Sequence, residues 1–129
     1  MASRHEDWFR QAQRDLDHAR YAQEEGHYEW ACFAAQQAAE KAVRALYQKL
    51  GADAWGHMVS ELLQRLPPQV QPLSDLIEMG KELDKHYIPP RYANAYPSGA
   101  PMDYYTEGEA QRAIEHAKRI LQFCENHLV

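Results

Sequence analysis

The sequence has few of the residues that disulfide frameworks, membrane spans and export signals require. Its two cysteines, Cys32 and Cys124, have no CxxC spacing, which is typical of reduced thiols buried in helices rather than of a disulfide framework. The longest apolar stretch without charge, "WACFAAQQAA" at 30–39, contains two glutamines and is half the length of a membrane helix, which needs about 20 apolar residues. The opening "MASRHEDWFR" has no apolar signal core. The sequence therefore predicts a cytoplasmic protein without a membrane segment.

Motifs for phosphate loops and metal sites are also missing. No GxxxxGK or GxGxxG occurs, so the usual glycine loops that bind phosphate are absent. The net charge is −5 and the pI about 5.8, which excludes a surface that is basic throughout, since domains that grip nucleic acid in that way have a pI above about 9. Glu24 and His27 alone have the Glu-x-x-His spacing of helical di-metal sites, and Gly26 interrupts the helix between them. We expect no metal and no cofactor.

Apolar residues repeat at helical spacing through most of the chain, and no stretch alternates with a period of two. Ser3 with Glu6 and Thr106 with Glu109 have the spacing of capping boxes, so a helix is predicted to begin at each. The predicted helices cover residues 3–25, 28–50, 57–66, 72–86 and 106–128. The sequence thus predicts one all-α domain over 1–129, an antiparallel up-and-down bundle of four to five helices.

The second predicted helix is rich in alanine on several sides, which indicates a central helix that its neighbours approach closely. Gln37, Lys41 and Arg44 form a polar seam along it at i, i+4 and i+7, and Glu40 has the spacing to pair with Arg44. Two interpretations of this seam remain open. It is either a solvated helix face with ordinary ion pairs or a surface that faces a ligand or partner. Small residues on several sides also predict a symmetric homodimer or a dimer of dimers.

Between the last two predicted helices, "LDKHYIPPRYANAYPSGAPMDYYTEGEA" (83–110) contains four of the seven prolines and five of the eight tyrosines. Because of these prolines, about twenty residues of this stretch are predicted to be non-helical. The segment either packs its aromatic rings over one end of the bundle or forms a binding site, since long irregular loops are often functional. Arg91 among tyrosines suits a nucleotide, because flat rings stack on a base and the guanidinium fork donates to phosphate oxygens.

Four stretches together resemble the small stand-alone HEPN domain of bacteria and archaea. They are "WFRQAQRDL" (8–16), "GHYEWACFAAQQAAEKAVRAL" (26–46), "GHMVSELL" (56–63) and "LDKHYIPPRYANA" (83–95), and they follow the family's order over most of the chain. The resemblance implies a helical bundle that dimerises around a groove. It also implies a minimal nucleotidyltransferase as partner, as in toxin–antitoxin pairs. Many members are metal-independent ribonucleases, and others are thought to bind nucleotides or RNA without cutting.

The ribonucleases of the family share an Arg-x4–6-His motif, and this chain departs from it. After Arg91 no histidine stands at the allowed spacing, and Tyr96 follows where a histidine could stand. A tyrosine is a poor general base at neutral pH, because its ordinary pKa lies near 10. Arg20 and His27 have the spacing but lie at the end of the first helix. The sequence therefore predicts no catalytic residue and leans against an enzyme.

The candidate site combines the segment with the polar seam of the second helix. The predicted ligand-binding residues are Asp84, Lys85, Tyr87, Arg91, Tyr92, Asn94 and Tyr96, with Gln37, Lys41 and Arg44 as the opposite wall. Three functions remain open: a nucleotide- or RNA-binding module that acts with a nucleotidyltransferase, a metal-independent ribonuclease that uses Arg91 with an unusual acid–base group, and a purely structural oligomeric bundle. An Arg91 side chain that lies in a groove favours the first two, and one locked in a salt bridge favours the third.

Overall fold

A computed structural model describes residues 3–129, and within this range the chain is helical without any strand. The helices are α1 (His5–Glu24), α2 (Tyr28–Leu50), α3 (Val59–Gln64), α4 (Ser74–Asp84), α5 (Pro101–Tyr104) and α6 (Glu107–Asn126). Helix α2 packs along both α1 and α6, while α3 and α4 pack on each other and α4 also touches α6. The predicted all-α antiparallel bundle is confirmed. In the described part of the chain no helix is long and apolar enough to cross a membrane.

Helix α2 forms the centre of the bundle, as its alanines predicted. Most of its residues are buried, and its alanines lie against both α1 and α6. Small side chains allow helix backbones to approach closely, so the core is made of many short contacts between α1, α2 and α6. Since one chain covers these surfaces by itself, the small residues of α2 do not require a second subunit. The small residues of α2 therefore no longer support the prediction of a dimer.

The predicted helix ends are partly confirmed. Gly51 ends α2 at a φ of 69°, a left-handed conformation that glycine adopts without strain. Thr106 and Glu109 form the predicted capping box, with Glu109 N donating to Thr106 Oγ1 and Thr106 N donating to Glu109 Oε1, each at 3.2 Å. The capping box predicted at Ser3 is wrong. Helix α1 begins at His5 without a side-chain cap, and the Ser3 hydroxyl accepts from the His5 backbone at 3.2 Å instead.

The proline- and tyrosine-rich segment is more ordered than predicted. It contains 3₁₀ turns at Pro89–Arg91 and Ala93–Ala95 and the short helix α5. Proline at the first positions of the first turn and of α5 explains why they form, because its fixed φ suits a helical start and its missing N–H is not needed there. Asp103 supports the first turn of α5 by accepting from the Ala100 backbone at 2.9 Å.

Helices α3 and α4 are joined closely at two points. A Cβ atom at Gly80 would lie 3.1 Å from the backbone of Ser60, so glycine is what lets the helices approach. One turn further, Asp84 caps α3. Its carboxylate accepts from Val59 N at 2.6 Å, and from Ser60 N at 3.3 Å and Ser60 Oγ at 2.5 Å. This pair of contacts holds the start of α3 beside the end of α4, where the candidate site begins.

Candidate functional site

Arg91 lies among three aromatic rings at the end of the bundle. Its guanidinium carbon is 4.4 Å from the ring centroid of Phe33, 4.8 Å from that of Tyr87 and 5.2 Å from that of Tyr92. These distances are within the range of cation–π attraction. Trp30 extends the aromatic surface, with its ring 6.3 Å from that of Phe33. We call these five residues the Arg91 cluster.

The Arg91 guanidinium keeps most of its hydrogen-bonding capacity. Its Nε donates to the Tyr87 backbone carbonyl at 2.8 Å, which orients the fork. Within residues 3–129 no carboxylate lies at ion-pair distance from Arg91, and its terminal nitrogens donate to no protein acceptor. Because partly buried charges in proteins are normally paired, an arginine held between rings without a counter-ion suits an anionic ligand.

The Arg91 cluster has an exposed apolar surface beside this charge. Trp30 is 46% exposed and Tyr92 is 49% exposed, and Ile88 of the same segment is 48% exposed. Exposed indole and phenol faces next to a guanidinium fork provide both stacking surfaces for a base and donors for a phosphate.

His57 and Glu40 form a polar pair that contacts the Arg91 cluster at Tyr87. The His57 imidazole stacks on the Tyr87 ring with centroids 4.9 Å apart and planes 14° apart. Its Nδ1 lies 3.1 Å from Glu40 Oε2, and the Glu40 side chain is 7% exposed. Glu40 also accepts from Gln36 Nε2 at 3.2 Å and from Arg44 Nε at 3.0 Å. Phe33 of α2 contacts the segment directly, and the charged α2 residue linked to it is Glu40, through His57.

The predicted opposite wall is occupied by contacts within the chain. Lys41 Nζ pairs with Asp15 of α1 at 2.5 Å. Arg44 donates to Glu40 and to the backbone carbonyls of the connection between α2 and α3. Gln37 donates to the side chain of Gln36 at 2.8 Å. The structure thus gives these three side chains partners inside the bundle and does not place them in the Arg91 cluster.

Asp84 and Lys85, also predicted, lie at the end of α4. Burial raises the pKa of the Asp84 carboxyl, against the opposing effect of its hydrogen bonds from the start of α3. The Asp84 carboxylate therefore caps the N-terminus of α3. Lys85 lines a different cavity of about 150 Å³ between α4 and α6, together with His86 and His116. Burial lowers the pKa of His86 there.

Tyr96 and Asn94 are separate from the Arg91 cluster. The Tyr96 ring stacks on Tyr104, with centroids 4.2 Å apart and planes 7° apart, and the Tyr104 hydroxyl donates to the Ser98 carbonyl at 2.5 Å. Asn94 is exposed in the second 3₁₀ turn. Of the predicted residues, Tyr87, Arg91 and Tyr92 come together, and Tyr96 belongs to a second aromatic pair.

Sequence reasoning missed Trp30, Phe33, Glu40 and His57 as parts of the site. Trp30 and Phe33 stand three apart on α2, a spacing that places both on one face and could have marked an aromatic stripe. The contact of Phe33 with Arg91, more than fifty residues later in the chain, cannot be predicted from local spacing. Among residues 3–129 no group of histidine, cysteine and carboxylate side chains is arranged to hold a metal.

A family model for the HEPN domain matches residues 5–127. A protein from Thermus thermophilus of known crystal structure is 46% identical and superposes with a TM-score of 0.96, covering 98% of this chain and all of its own. An archaeal HEPN homologue is 44% identical, with a TM-score of 0.84 over 99% of this chain and 100% of its own. A HEPN domain protein from Thermotoga maritima is 40% identical, with a TM-score of 0.75 over 93% and 95% of the two chains.

A more distant relative is the protein of Methanocaldococcus jannaschii named "Putative toxin MJ1304", which is 25% identical over 94% of this chain and 86% of its own length. The match of the family model over nearly the whole chain, together with the helical neighbours, confirms the resemblance drawn from the four sequence stretches. The chain belongs to the HEPN domain family.

Proposed function

We propose that this HEPN domain is a nucleotide- or RNA-binding module, which acts in the cytoplasm with a minimal nucleotidyltransferase as the partner in a toxin–antitoxin type of pair. The observation that carries the binding proposal is Arg91, a partly buried guanidinium without a carboxylate partner in residues 3–129, oriented by the Tyr87 carbonyl and bordered by exposed rings. A relative named as a toxin supports the pairing.

The geometry of the Arg91 cluster suits a base with its phosphate. A charge-assisted hydrogen bond from Arg91 to a phosphate oxygen contributes about 1.5–3 kcal/mol, and stacking a base on Trp30 or Tyr92 contributes about 1–3 kcal/mol. Neither contact disturbs the bundle core, because the rings that offer stacking faces are already exposed. Together they contribute about 2.5–6 kcal/mol, which is less than the roughly 8 kcal/mol of a micromolar complex, so these two contacts alone support binding weaker than micromolar.

Binding is tested by titrating the protein with AMP, adenosine and a short unstructured RNA in a calorimeter, with a chelator present. AMP and the RNA should bind, and adenosine should bind at least about tenfold more weakly, since it lacks the phosphate that Arg91 contacts. Equal affinities for AMP and adenosine would contradict a phosphate site. The same samples run on a gel should show intact RNA. Cleavage that disappears in Arg91→Ala would favour the ribonuclease alternative.

The assembly is proposed to be a homodimer or a dimer of dimers. It rests on large apolar side chains left exposed by the chain, among them Trp55 at 69% and Leu73 at 78%, since exposed apolar surface marks interaction sites. Light scattering at micromolar concentration should give the mass of two or four chains of 15.0 kDa each. Adding a minimal nucleotidyltransferase, the class of partner proposed here, should raise this mass by whole subunits. A particle of 15.0 kDa in both samples would contradict the proposed assembly.

A further inference from the structure

Glu40 is a buried carboxylate on the alanine-rich helix α2, and one of its three hydrogen-bonding partners is His57 beside the Arg91 cluster. It accepts from Gln36 Nε2, Arg44 Nε and His57 Nδ1, at 3.2, 3.0 and 3.1 Å. Gln36 in turn donates to the His57 backbone carbonyl at 3.2 Å. Burying a carboxylate is costly unless donors surround it. This arrangement fixes both the backbone and the ring of His57.

The hydrogen bond to Glu40 determines how His57 presents its other nitrogen. Because Nδ1 faces the buried carboxylate, Nε2 lies on the outer side of the ring. The His57 side chain is 54% exposed, and within residues 3–129 its Nε2 has no hydrogen-bond partner. The imidazole is thus held in one orientation, with Nε2 on the side of the ring away from the Glu40 carboxylate.

His57 and Arg91 border the same ring. The Tyr87 ring centroid is 4.9 Å from that of His57 and 4.8 Å from the Arg91 guanidinium carbon. We propose that His57, oriented by Glu40, is the second ligand-contacting residue of the Arg91 site, where its protonated ring donates from Nε2 to a phosphate oxygen. This inference rests on the proposed function, and it replaces the predicted wall of Gln37, Lys41 and Arg44.

Several charged groups lie around His57. Glu40 pairs with its Nδ1, Arg44 on the same helix as Glu40 pairs with that carboxylate, and Arg91 lies across the Tyr87 ring. The Asp84 carboxylate of α4 accepts from the backbone N–H groups of Val59 and Ser60, two and three residues after His57 in the chain. A bound phosphate adds negative charge at Nε2 and favours the charged form, so binding takes up a proton and affinity rises as the pH falls.

The test uses a short RNA without terminal phosphates, because the charge of its phosphodiesters stays constant over the titration of an imidazole. Wild-type affinity should be about tenfold higher at pH 5.5 than at pH 8, since a charge-assisted hydrogen bond is gained. His57→Gln should bind equally at both values, with the weak affinity that wild type has at pH 8. His57→Lys keeps a cation at both values, so its affinity at pH 8 should match wild type at pH 5.5. His18→Gln removes an exposed histidine of α1 and should leave the pH profile unchanged.

The outcomes separate this inference from the proposed function. Binding that requires Arg91 but shows no pH dependence, and that His57→Gln does not change, would overturn the role of His57 and leave the proposed function standing. Wild-type protein that binds no RNA at any pH would overturn both. RNA cleavage that requires His57 would overturn the donor role, because the ring would then act as a general base. Thermal melts of both His57 variants ensure that only folded protein is compared.

Discussion

Replacing Arg91 by alanine should weaken the binding of AMP or a short RNA at least tenfold. The guanidinium is a cation of the proposed site and has no carboxylate partner in residues 3–129, so its loss should remove a charge-assisted hydrogen bond of about 1.5–3 kcal/mol. Since about 1.4 kcal/mol is a factor of ten, the effect is readily measured by calorimetry. The slope of affinity against salt should also become shallower, because one phosphate contact is lost.

The matched control is Arg14→Ala on α1. Arg14 is exposed and forms no ion pair in residues 3–129, so the variant makes the same change in net charge away from the site. Its affinity and salt slope should equal those of wild type. Arg91→Lys should recover only part of the affinity, because an ammonium lacks the planar fork. If Arg91→Ala instead lowers the melting temperature strongly, and neither it nor wild type binds a nucleotide, Arg91 is a structural residue of the segment and the proposed binding site is wrong.

Replacing Gly80 by alanine should destabilise the fold by about 1–2 kcal/mol, although alanine is the better helix former. The new Cβ would lie 3.1 Å from the Cα and N of Ser60. Ser60 cannot move away easily, because its backbone N–H and hydroxyl are both bound to Asp84. The contact is with backbone, so no side chain can rotate to relieve it. For a domain of this size the melting temperature should fall by about 4 °C for each kcal/mol.

Gly108→Ala is the matched control for this prediction. A Cβ at Gly108 would come no closer than 3.7 Å to another atom, the Arg112 side chain. Alanine should therefore stabilise α6 by about 0.5–1 kcal/mol. The two glycine replacements should move the melting temperature in opposite directions. A stabilised Gly80→Ala would mean that α3 and α4 separate without cost, and that the Asp84 cap does not hold them together.

Gly80 also bears on the proposed binding site. Helix α3 begins two residues after His57, and α4 ends three residues before Tyr87. The close crossing of α3 and α4 therefore determines the distance between the two rings that stack beside Arg91. A shift of a few tenths of an ångström at Gly80 should loosen that stacking, so ligand affinity should fall in Gly80→Ala even at temperatures where the protein stays folded.

Local chemistry in the sequence determined the helices and much of the core. The alanines of α2, the glycine after it and the capping box of α6 act through neighbours within a few residues, so each could be identified from spacing alone. The family could also be identified, because "QQAAEKA" and "YIPPRY" occur together in the right order. The sequence could also place Arg91, Tyr87 and Tyr92 near one another, since they lie within six consecutive positions.

Only the tertiary structure decided what lies opposite Arg91. The sequence predicted Gln37, Lys41 and Arg44 of α2 as this wall, with Glu40 only as a partner of Arg44. Which side chain of α2 reaches the segment depends on the rotation of α2 about its axis and on the path of residues 51–58. In that packing Lys41 forms an ion pair with Asp15, and Arg44 donates to the connection after α2. Glu40 contacts His57 and orients its ring against Tyr87. Contacts between residues far apart in the chain follow from how whole helix faces fit together, and no periodicity within one helix records them.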